Sequence, residues 1–343
     1  MAISDGSERE LVDMVGSRFS QNTRLSPVDP TCNLPPTPKS SPMLTSPSAY
    51  RFGCRWDSVD YSCAYDCVFM TFVWMYLHAP QTWRETWVGG CAATTILSGY
   101  CDAISRSLDR QVDNSAIPVL FSSGRNAFRD TLSKGDPERF KRRGGVLISV
   151  GDVLDSLSRG QTTSMFFLYR TSCDSQYCYP VLTTPAGAPY MLTPNTWNSI
   201  TQSKAKPSCE SLQRWITGFC EFKVSSLPQS PSGCDRKHSH TLTFLQPPWI
   251  WFDIFLNHPR VVLPSFEISL GPAVYRLASV IYGNSKHFVA RLSTPSGMWW
   301  SYDGMINGGQ PVEEMISDEK DLLEHPGKYA MSALVYCIVA PPT

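Results

Sequence analysis

Residues 63–77 read CAYDCVFMTFVWMYL, and these side chains are apolar on nearly every side when the segment is wound as an α-helix. Ser62 precedes the segment, and serine is a favoured N-cap residue. A helix that is apolar all round is buried on all sides. The segment therefore predicts a central helix that begins at Cys63 and has the rest of the fold packed around it.

Two cysteines lie near the start of this helix. Cys63 is at the predicted N-terminus, where the positive end of the helix dipole favours a thiolate. Cys67 lies one turn further in, where the effect of the dipole fades and a thiol more often packs as a small apolar side chain. We therefore predict that Cys63, rather than Cys67, is a nucleophile.

The segment 286–304, KHFVARLSTPSGMWWSYDG, predicts a β-hairpin around a Thr-Pro-Ser-Gly turn. Pairing Leu292 with Met298 gathers the apolar side chains on one face of the hairpin. The same register sets His287 directly opposite Asp303 on the other face. A carboxylate in that position can hold an imidazole in one tautomer and one orientation, so these two residues are candidate partners for the nucleophile.

The remaining folded part of the chain has helical patterns first and strand patterns last. Apolar and β-branched runs typical of strands follow Thr241, whereas residues 160–240 are rich in turns. Helices followed by a sheet indicate an α+β fold. The other predicted helices are 91–110, 125–143 and Val153–Leu157, and the predicted strands are Trp249–Leu256, Val274–Tyr282, His287–Leu292, Met298–Asp303 and Ala333–Ala340.

Residues 1–49 differ in composition from the rest of the chain. They are rich in Ser, Pro and Thr and hold too few apolar side chains to offset the entropy lost on ordering. We expect them to form a disordered arm. No comparable linker recurs later, so residues 50–343 are predicted to fold as one unit.

The composition favours some classes of partner over others. Thirty Lys and Arg balance thirty Asp and Glu, so no net charge draws the chain to nucleic acid or to an anionic membrane. The first twenty residues lack the apolar core of a secretory signal, and the longest apolar run is too short to span a bilayer. We expect an intracellular monomer, in the cytoplasm, the nucleus or both, that binds neither nucleic acid nor membrane.

Charge and cysteine content add two further expectations. Between Arg125 and Arg143 seven cations meet three acids, a pattern typical of a solvated face. The twelve cysteines are irregularly spaced in a long chain, and no Asn-x-Ser/Thr sequon is present. Both facts favour thiols, metal ligands or a nucleophile over structural disulfides.

Three segments resemble a known family. YSCAYDCVF, residues 61–69, is similar to the cysteine box of ubiquitin-specific proteases, and VYRLASVIYGNSKHFVARLSTPSGMWWSYDG, residues 274–304, is similar to their histidine box. ALVYCIVA, residues 333–340, resembles the last palm strand of the family. The Cys-x-x-Asp-Cys run also resembles the cysteine box of ubiquitin-specific-protease-like SUMO isopeptidases. The resemblance extends from about Trp56 to Val339, with its motifs at the two ends.

The resemblance implies a papain-like cysteine peptidase. Its parts would be a helical thumb at about 54–160, a fingers-like insertion at 161–240 and an antiparallel β palm at 241–343. Cys63 would be the nucleophile, His287 the general base and acid, and Asp303 the orienting third member. The implied activity is removal of ubiquitin or a ubiquitin-like modifier, SUMO included, from conjugates, with no cofactor for the chemistry.

Two positions depart from the pattern of the family. Ser58 stands five residues before the nucleophile, where the family usually has an Asn that donates to the oxyanion, and Lys286 stands where Gly commonly precedes the His. Ser58 and the backbone N–H of Cys63 could together donate to an oxyanion. Two alternatives stay open: a catalytically impaired domain that binds the modifier as an interaction module, and a papain-like or transglutaminase-like thiol enzyme of other specificity.

The turn-rich middle of the chain holds soft metal ligands. Cys173 and Cys178 form one pair, and Cys234 with His238 or His240 forms another. Two such pairs separated by a long insertion can hold a tetrahedral structural zinc ion. In the family the zinc of the fingers is usually held by two Cys-x-x-Cys pairs, and the spacing here departs from that pattern. We predict zinc at these residues, with free thiols as the alternative.

Overall fold

A computed structural model describes the folded part of the chain. The described residues all lie within one unit, Ser41–Thr343. They are 51–59, 61–79, 84, 91–109, 116–141, 148–159, 167–173, 181–183, 191–192, 210–214, 216–217, 238–244, 247–254, 262–284 and 286–340, of which the backbone alone is described at 159, 167–173, 181–183, 191–192, 210, 238–244 and 340. The predicted arm, residues 1–49, and most of the predicted fingers-like insertion lie outside these ranges.

Within these ranges the first half of the fold is helical. The helices are α1 (Cys63–His78), α2 (Ala92–Asp109), α3 (Ala116–Gly135) and α4 (Val150–Arg159). The predictions for α1 and α2 are confirmed to within a residue. The helix predicted at 125–143 is wrong in its bounds, because α3 begins nine residues earlier. Pro118 lies in its first turn, where the missing N–H of a proline costs no helical hydrogen bond.

Strands make up the second half. They are β1 (Phe167–Cys173), β2 (Val181–Thr183), β3 (Met191–Leu192), β4 (Glu210–Ser211), β5 (His238–Phe244), β6 (Trp249–Ile254), β7 (Val262–Leu263), β8 (Glu267–Leu270), β9 (Ala273–Gly283), β10 (Phe288–Ser293), β11 (Trp299–Tyr302), β12 (Val312–Glu314) and β13 (Ala330–Ala340). Each strand predicted after Thr241 is present, with ends shifted by up to three residues. The α+β prediction is confirmed as a mixture of helices and antiparallel sheet.

The main sheet has eight strands and is almost wholly antiparallel. Its order is β12-β11-β10-β9-β13-β6-β3, with β8 paired to the first half of β9, and β3 joins β6 in parallel. The strands β9, β10, β11 and β12 follow one another as a meander, and β13 returns to the other side of β9. A second, three-stranded sheet has the order β2-β1-β5.

The hairpin of β10 and β11 has a different register from the predicted one. Leu292 pairs with Trp300 rather than with Met298, a shift of two residues. Thr294 hydrogen-bonds to Met298 across a three-residue loop in which Gly297 has a φ of +85°. A tight loop that ends in a left-handed glycine is a common hairpin connection, and here its centre lies one residue later in the chain than the predicted pairing places it.

Helix α1 packs against the main sheet on one side and against the other three helices on the other. All sixteen of its residues are buried, as an all-round apolar helix requires. Two polar bonds fix it to the sheet: Thr71 donates to Ser279 on β9 at 2.9 Å, and the Trp74 indole donates to the Ser293 carbonyl on β10 at 2.8 Å. The helix that carries the candidate nucleophile is therefore held by the whole fold.

The basic segment 125–143 is not the solvated face that its charge pattern predicts. Arg125 and Arg129 are buried, and Arg139 bonds to Asp152 and Asp155 on α4. Apolar residues of α3 pack into the core at helical spacing, and Arg125 and Arg129 lie on the same buried face of the helix. Lys134 and Lys141 are exposed as expected, and Arg142 and Arg143 lie outside the described ranges.

Among the helices that the structure describes, none has both the length and the apolar character needed to cross a bilayer.

Candidate active site

Cys63 is the first residue of α1 and is 3% exposed. Ser62 is the N-cap residue, as predicted, but its backbone is helical and its side chain makes no capping bond. The Ser62 hydroxyl instead donates to Asp66 at 2.6 Å and accepts from the Asp57 N–H at 2.8 Å. The first turn of α1 therefore has no serine side chain over its N–H groups, and these are the groups that bind an oxyanion at a helix N-terminus.

His287 and Asp303 lie at the ends of neighbouring strands. Nε2 of His287 is 2.8 Å from Oδ1 of Asp303, which also accepts from the Met305 N–H at 2.8 Å. In the observed register the two residues are diagonal across the hairpin, so the prediction that they stand directly opposite is wrong. A shift of two residues keeps both side chains on the same face, and for this reason the pair still forms.

The pair perturbs the protonation of both groups. Burial disfavours the charged imidazole, but the hydrogen bond to Asp303 and the nearby thiol of Cys63 outweigh burial and raise the pKa of His287 to about 9. Burial also acts against the Asp303 carboxylate, but the bonds from His287 and the Met305 N–H hold its pKa below the usual value. At neutral pH the two residues therefore form a charged pair.

The thiol of Cys63 lies near enough to the His287 imidazole to affect its protonation. Its interaction with His287 helps to raise the pKa of the ring. Nδ1 of His287 is buried and makes no hydrogen bond of ordinary length in the described part of the chain. Catalytic hydrogen bonds are often loose before substrate binds and tighten in the complex. The structure thus brings His287 and Asp303 into direct contact, with Cys63 near enough to affect the ring.

Two aromatic side chains border the imidazole, and the sequence reasoning missed both in this role. Trp56 meets His287 edge-on with ring centroids 6.3 Å apart, and Tyr329 does so at 5.9 Å. Burial, with the nearby Asp303 and Cys63, raises the pKa of Tyr329. Neither aromatic lies in a quoted motif segment, so only the fold reveals that they limit the orientation of the ring.

Backbone contacts join the two distant parts of the site. The Trp56 N–H donates to the Gly304 carbonyl at 2.9 Å, and the Tyr302 hydroxyl donates to the Cys54 carbonyl at 2.7 Å. The second bond links residues 248 positions apart. The segment that precedes the nucleophile is therefore attached directly to the end of β11 that carries the carboxylate.

Three other residues considered above lie around these groups. Ser58 is exposed in a turn, and within the described ranges no hydrogen bond joins it to the three residues. Lys286 is exposed beside His287. Cys67 is fully buried, and burial raises the pKa of its thiol, as expected for a packed side chain rather than a nucleophile.

The predicted zinc ligands are described only in part. In the second sheet the backbone of β1 sets Cys173 opposite His238 of β5, so two ligands from opposite ends of the insertion share a register position. Thr171 lies opposite His240. Cys178 and Cys234 lie outside the described residues, and among the side chains that are described no three metal-binding groups cluster. The zinc site stays a prediction.

Comparison with known proteins finds no match to a protein family and no match to a curated protein sequence. Solved structures do resemble the chain. The SAGA DUB module of Ubp8, Sgf11, Sus1 and Sgf73 bound to monoubiquitin is 10% identical, with 89% of this chain and 72% of that chain covered and a TM-score of 0.46. A further structure of this module, with a Ubp8 substitution and a shortened Sgf11, is 12% identical over 82% of this chain and 68% of that one, with a TM-score of 0.47.

A third structure is the Saccharomyces cerevisiae apo Pan2 pseudoubiquitin hydrolase-RNA exonuclease module in complex with AAGGA RNA. It is 10% identical, with 91% of this chain and 58% of that chain covered and a TM-score of 0.41. The chain is thus distantly similar to a DUB module and to a pseudoubiquitin hydrolase.

Proposed function

We propose that the chain is a thiol-dependent isopeptidase that removes ubiquitin or a ubiquitin-like modifier from proteins. One observation carries the proposal: Nε2 of His287 lies 2.8 Å from Asp303, and the thiol of Cys63, at the N-terminus of a buried helix, is near enough to the same imidazole to raise its pKa. A nucleophile, a base and an orienting carboxylate are the three groups that thiol peptidases need. The substrate class comes from the resemblance of the cysteine and histidine boxes.

The proposed reaction has two stages. The thiolate of Cys63 attacks the carbonyl of the terminal glycine of the modifier, and His287 gives its proton to the departing lysine amine. The products are a free lysine and a thioester between the modifier and Cys63. Water then attacks the thioester, and its proton passes to His287 while the thiolate leaves. In the thioester the thiol is no longer free to interact with the ring, so one of the interactions that raise the pKa of His287 is removed and the imidazole can act as a base.

A second candidate is a catalytically impaired domain that binds the modifier. The observation that favours it is the exposed position of Ser58, which stands where the family has the oxyanion donor. Loss of one such donor costs roughly 10² to 10³ in rate in other hydrolases. The backbone N–H of Cys63 would then be the remaining donor, so the proposed enzyme is slow.

Electrophilic probes distinguish the two candidates. Ubiquitin and SUMO with C-terminal electrophiles are mixed with the wild-type protein and with Cys63→Ala, Cys67→Ala and His287→Ala, and adducts are measured by intact mass. We expect an adduct in wild type and in Cys67→Ala, none in Cys63→Ala, and at least tenfold slower labelling in His287→Ala. The probe that reacts identifies the modifier. Binding without labelling would support the impaired domain. If the protein is neither labelled by the probes nor bound to the modifiers, the proposal that it acts on such a modifier is contradicted.

The remaining proposals concern the insertion and the setting. We propose a structural zinc ion held by Cys173, Cys178, Cys234 and His238, with free thiols as the alternative. Zinc analysis of the purified protein should give about one equivalent, and less than a tenth of an equivalent would contradict the site. The proposed substrates are conjugates in the cytoplasm, the nucleus or both.

A further inference from the structure

A buried ion pair lies one turn along α1 from Cys63. Nη1 of Arg125, on α3, is 2.7 Å from Oδ1 of Asp66. The Arg125 side chain is 5% exposed and the Asp66 side chain 1%, so the pair lies away from water. Burying an ion pair costs desolvation energy, and such a pair often stabilises the fold no more than packed apolar side chains would. Stabilisation of the fold therefore does not by itself account for this pair.

The same guanidinium also binds the segment that leads to the nucleophile. Nη1 of Arg125 is 2.9 Å from the Ser62 hydroxyl and 3.1 Å from the Arg55 carbonyl. The Ser62 hydroxyl in turn bonds to Asp66 and to the Asp57 N–H. One buried cation therefore fixes both ends of residues 55–62, the segment in which Trp56 contacts His287.

This segment contains backbone strain. Tyr61, two residues before Cys63, has a φ of +49°, in the left-handed region that non-glycine residues rarely adopt. Such a conformation costs roughly 1–2 kcal/mol and persists only where surrounding contacts determine it. The bonds from Arg125 and Asp66 are contacts of that kind, because they hold the residues on both sides of Tyr61.

We propose that Arg125 is a positioning residue for the nucleophile. Through Asp66, Ser62 and the Arg55 carbonyl it holds the strained segment so that the thiol of Cys63 meets the imidazole of His287. This inference rests on the proposed function, since it assigns the residue to the same site. Arg125 does not touch the substrate and acts only through the backbone that carries Cys63.

The test uses a reaction that needs no modifier. The second-order rate constant for alkylation of Cys63 by iodoacetamide is measured from pH 5 to 9 by peptide mass spectrometry, with His287→Ala as the baseline. Thermal unfolding is recorded for the same proteins. The variants are Arg125→Met, Arg125→Lys and the double variant Asp66→Leu with Arg125→Met. Arg139→Met, which removes an arginine paired with two carboxylates on α4, is the matched control.

The double variant separates positioning from stability. Arg125→Met leaves the Asp66 carboxyl buried without its cation and should lower both the unfolding temperature and, about tenfold, the alkylation rate at pH 7. Replacing both partners by apolar side chains should restore most of the unfolding temperature, because no buried charge is left unpaired. The rate should stay low, because the Arg55 carbonyl still lacks its donor and the Ser62 hydroxyl has lost its bonds to Arg125 and Asp66.

Arg125→Lys should give an intermediate rate, since the ammonium keeps the charge but its side chain is one bond shorter than the one that carries Nη1, the nitrogen that makes all three contacts. Arg139→Met should keep the wild-type rate whatever it does to the unfolding temperature. A double variant that regains both the rate and the unfolding temperature would overturn the inference, as would wild-type alkylation in Arg125→Met. If wild-type Cys63 reacts no faster than in His287→Ala, the proposed nucleophile fails and the inference fails with it.

Discussion

At the scale of single residues, the charge on His287 links the site to pH. The pKa of His287 is raised from 6.5 to about 9, although burial opposes the charge, because Asp303 bonds to the ring and Cys63 lies near it. A group whose pKa is higher in the folded state stabilises the fold fully below its unfolded pKa. That contribution is lost as the pH rises through about 9.

This linkage predicts a pH-dependent effect for Asp303→Asn. The variant should lower the free energy of unfolding by about 1–3 kcal/mol at pH 6, where the imidazole is charged, and by much less at pH 10. Denaturant unfolding of wild type and variant at the two pH values gives the difference. Asp318→Asn, which removes an exposed carboxylate that accepts from a backbone N–H, should cost the same at both. An equal loss for Asp303→Asn at both pH values would show that the carboxylate does not hold a charged ring.

At the scale of elements, the sequence predicts what depends on local pattern. Helix α1 is found because every side of it is apolar, and the strands after Thr241 are found because apolar and β-branched residues form continuous runs in them. The candidate pair of His287 and Asp303 is found because a two-residue change of register leaves both side chains on the same face of the hairpin. The register itself depends on the left-handed backbone conformation of Gly297. A glycine in the sequence permits that conformation but does not require it.

The contacts that a pattern cannot supply come from other elements. Arg125 lies in a basic segment that predicts a solvated face, and only the packing of α3 against α1 turns it toward Asp66. Trp56 and Tyr329 reach the imidazole from loops on different sides of it. Such contacts depend on how elements pack, and one sequence contains no direct signal for that packing.

At the scale of the whole molecule, the site forms only when the two ends of the folded region meet. Residues 54–63 carry the nucleophile, and residues 287–303 carry the base and the carboxylate. The two ends approach each other closely at Gly309, where the φ is +81° and an added Cβ would lie 2.1 Å from the Cys54 carbonyl oxygen. That oxygen also accepts from Tyr302, so the space at Gly309 sets the position of the nucleophile segment.

Gly309→Ala should therefore disrupt both the fold and the site. A left-handed alanine costs roughly 1–2 kcal/mol, and the clash with the Cys54 carbonyl should bring the loss of unfolding free energy to about 3 kcal/mol and slow Cys63 alkylation at least tenfold. Gly308 is the matched control, because its φ is +65° and no atom lies within 4 Å of an added Cβ. Gly308→Ala should thus lose only the unfolding free energy that the left-handed backbone costs, and should keep the wild-type alkylation rate. Unfolding and alkylation of both variants decide the matter, and equal effects in the two would mean that contact between the ends of the folded region does not position the nucleophile.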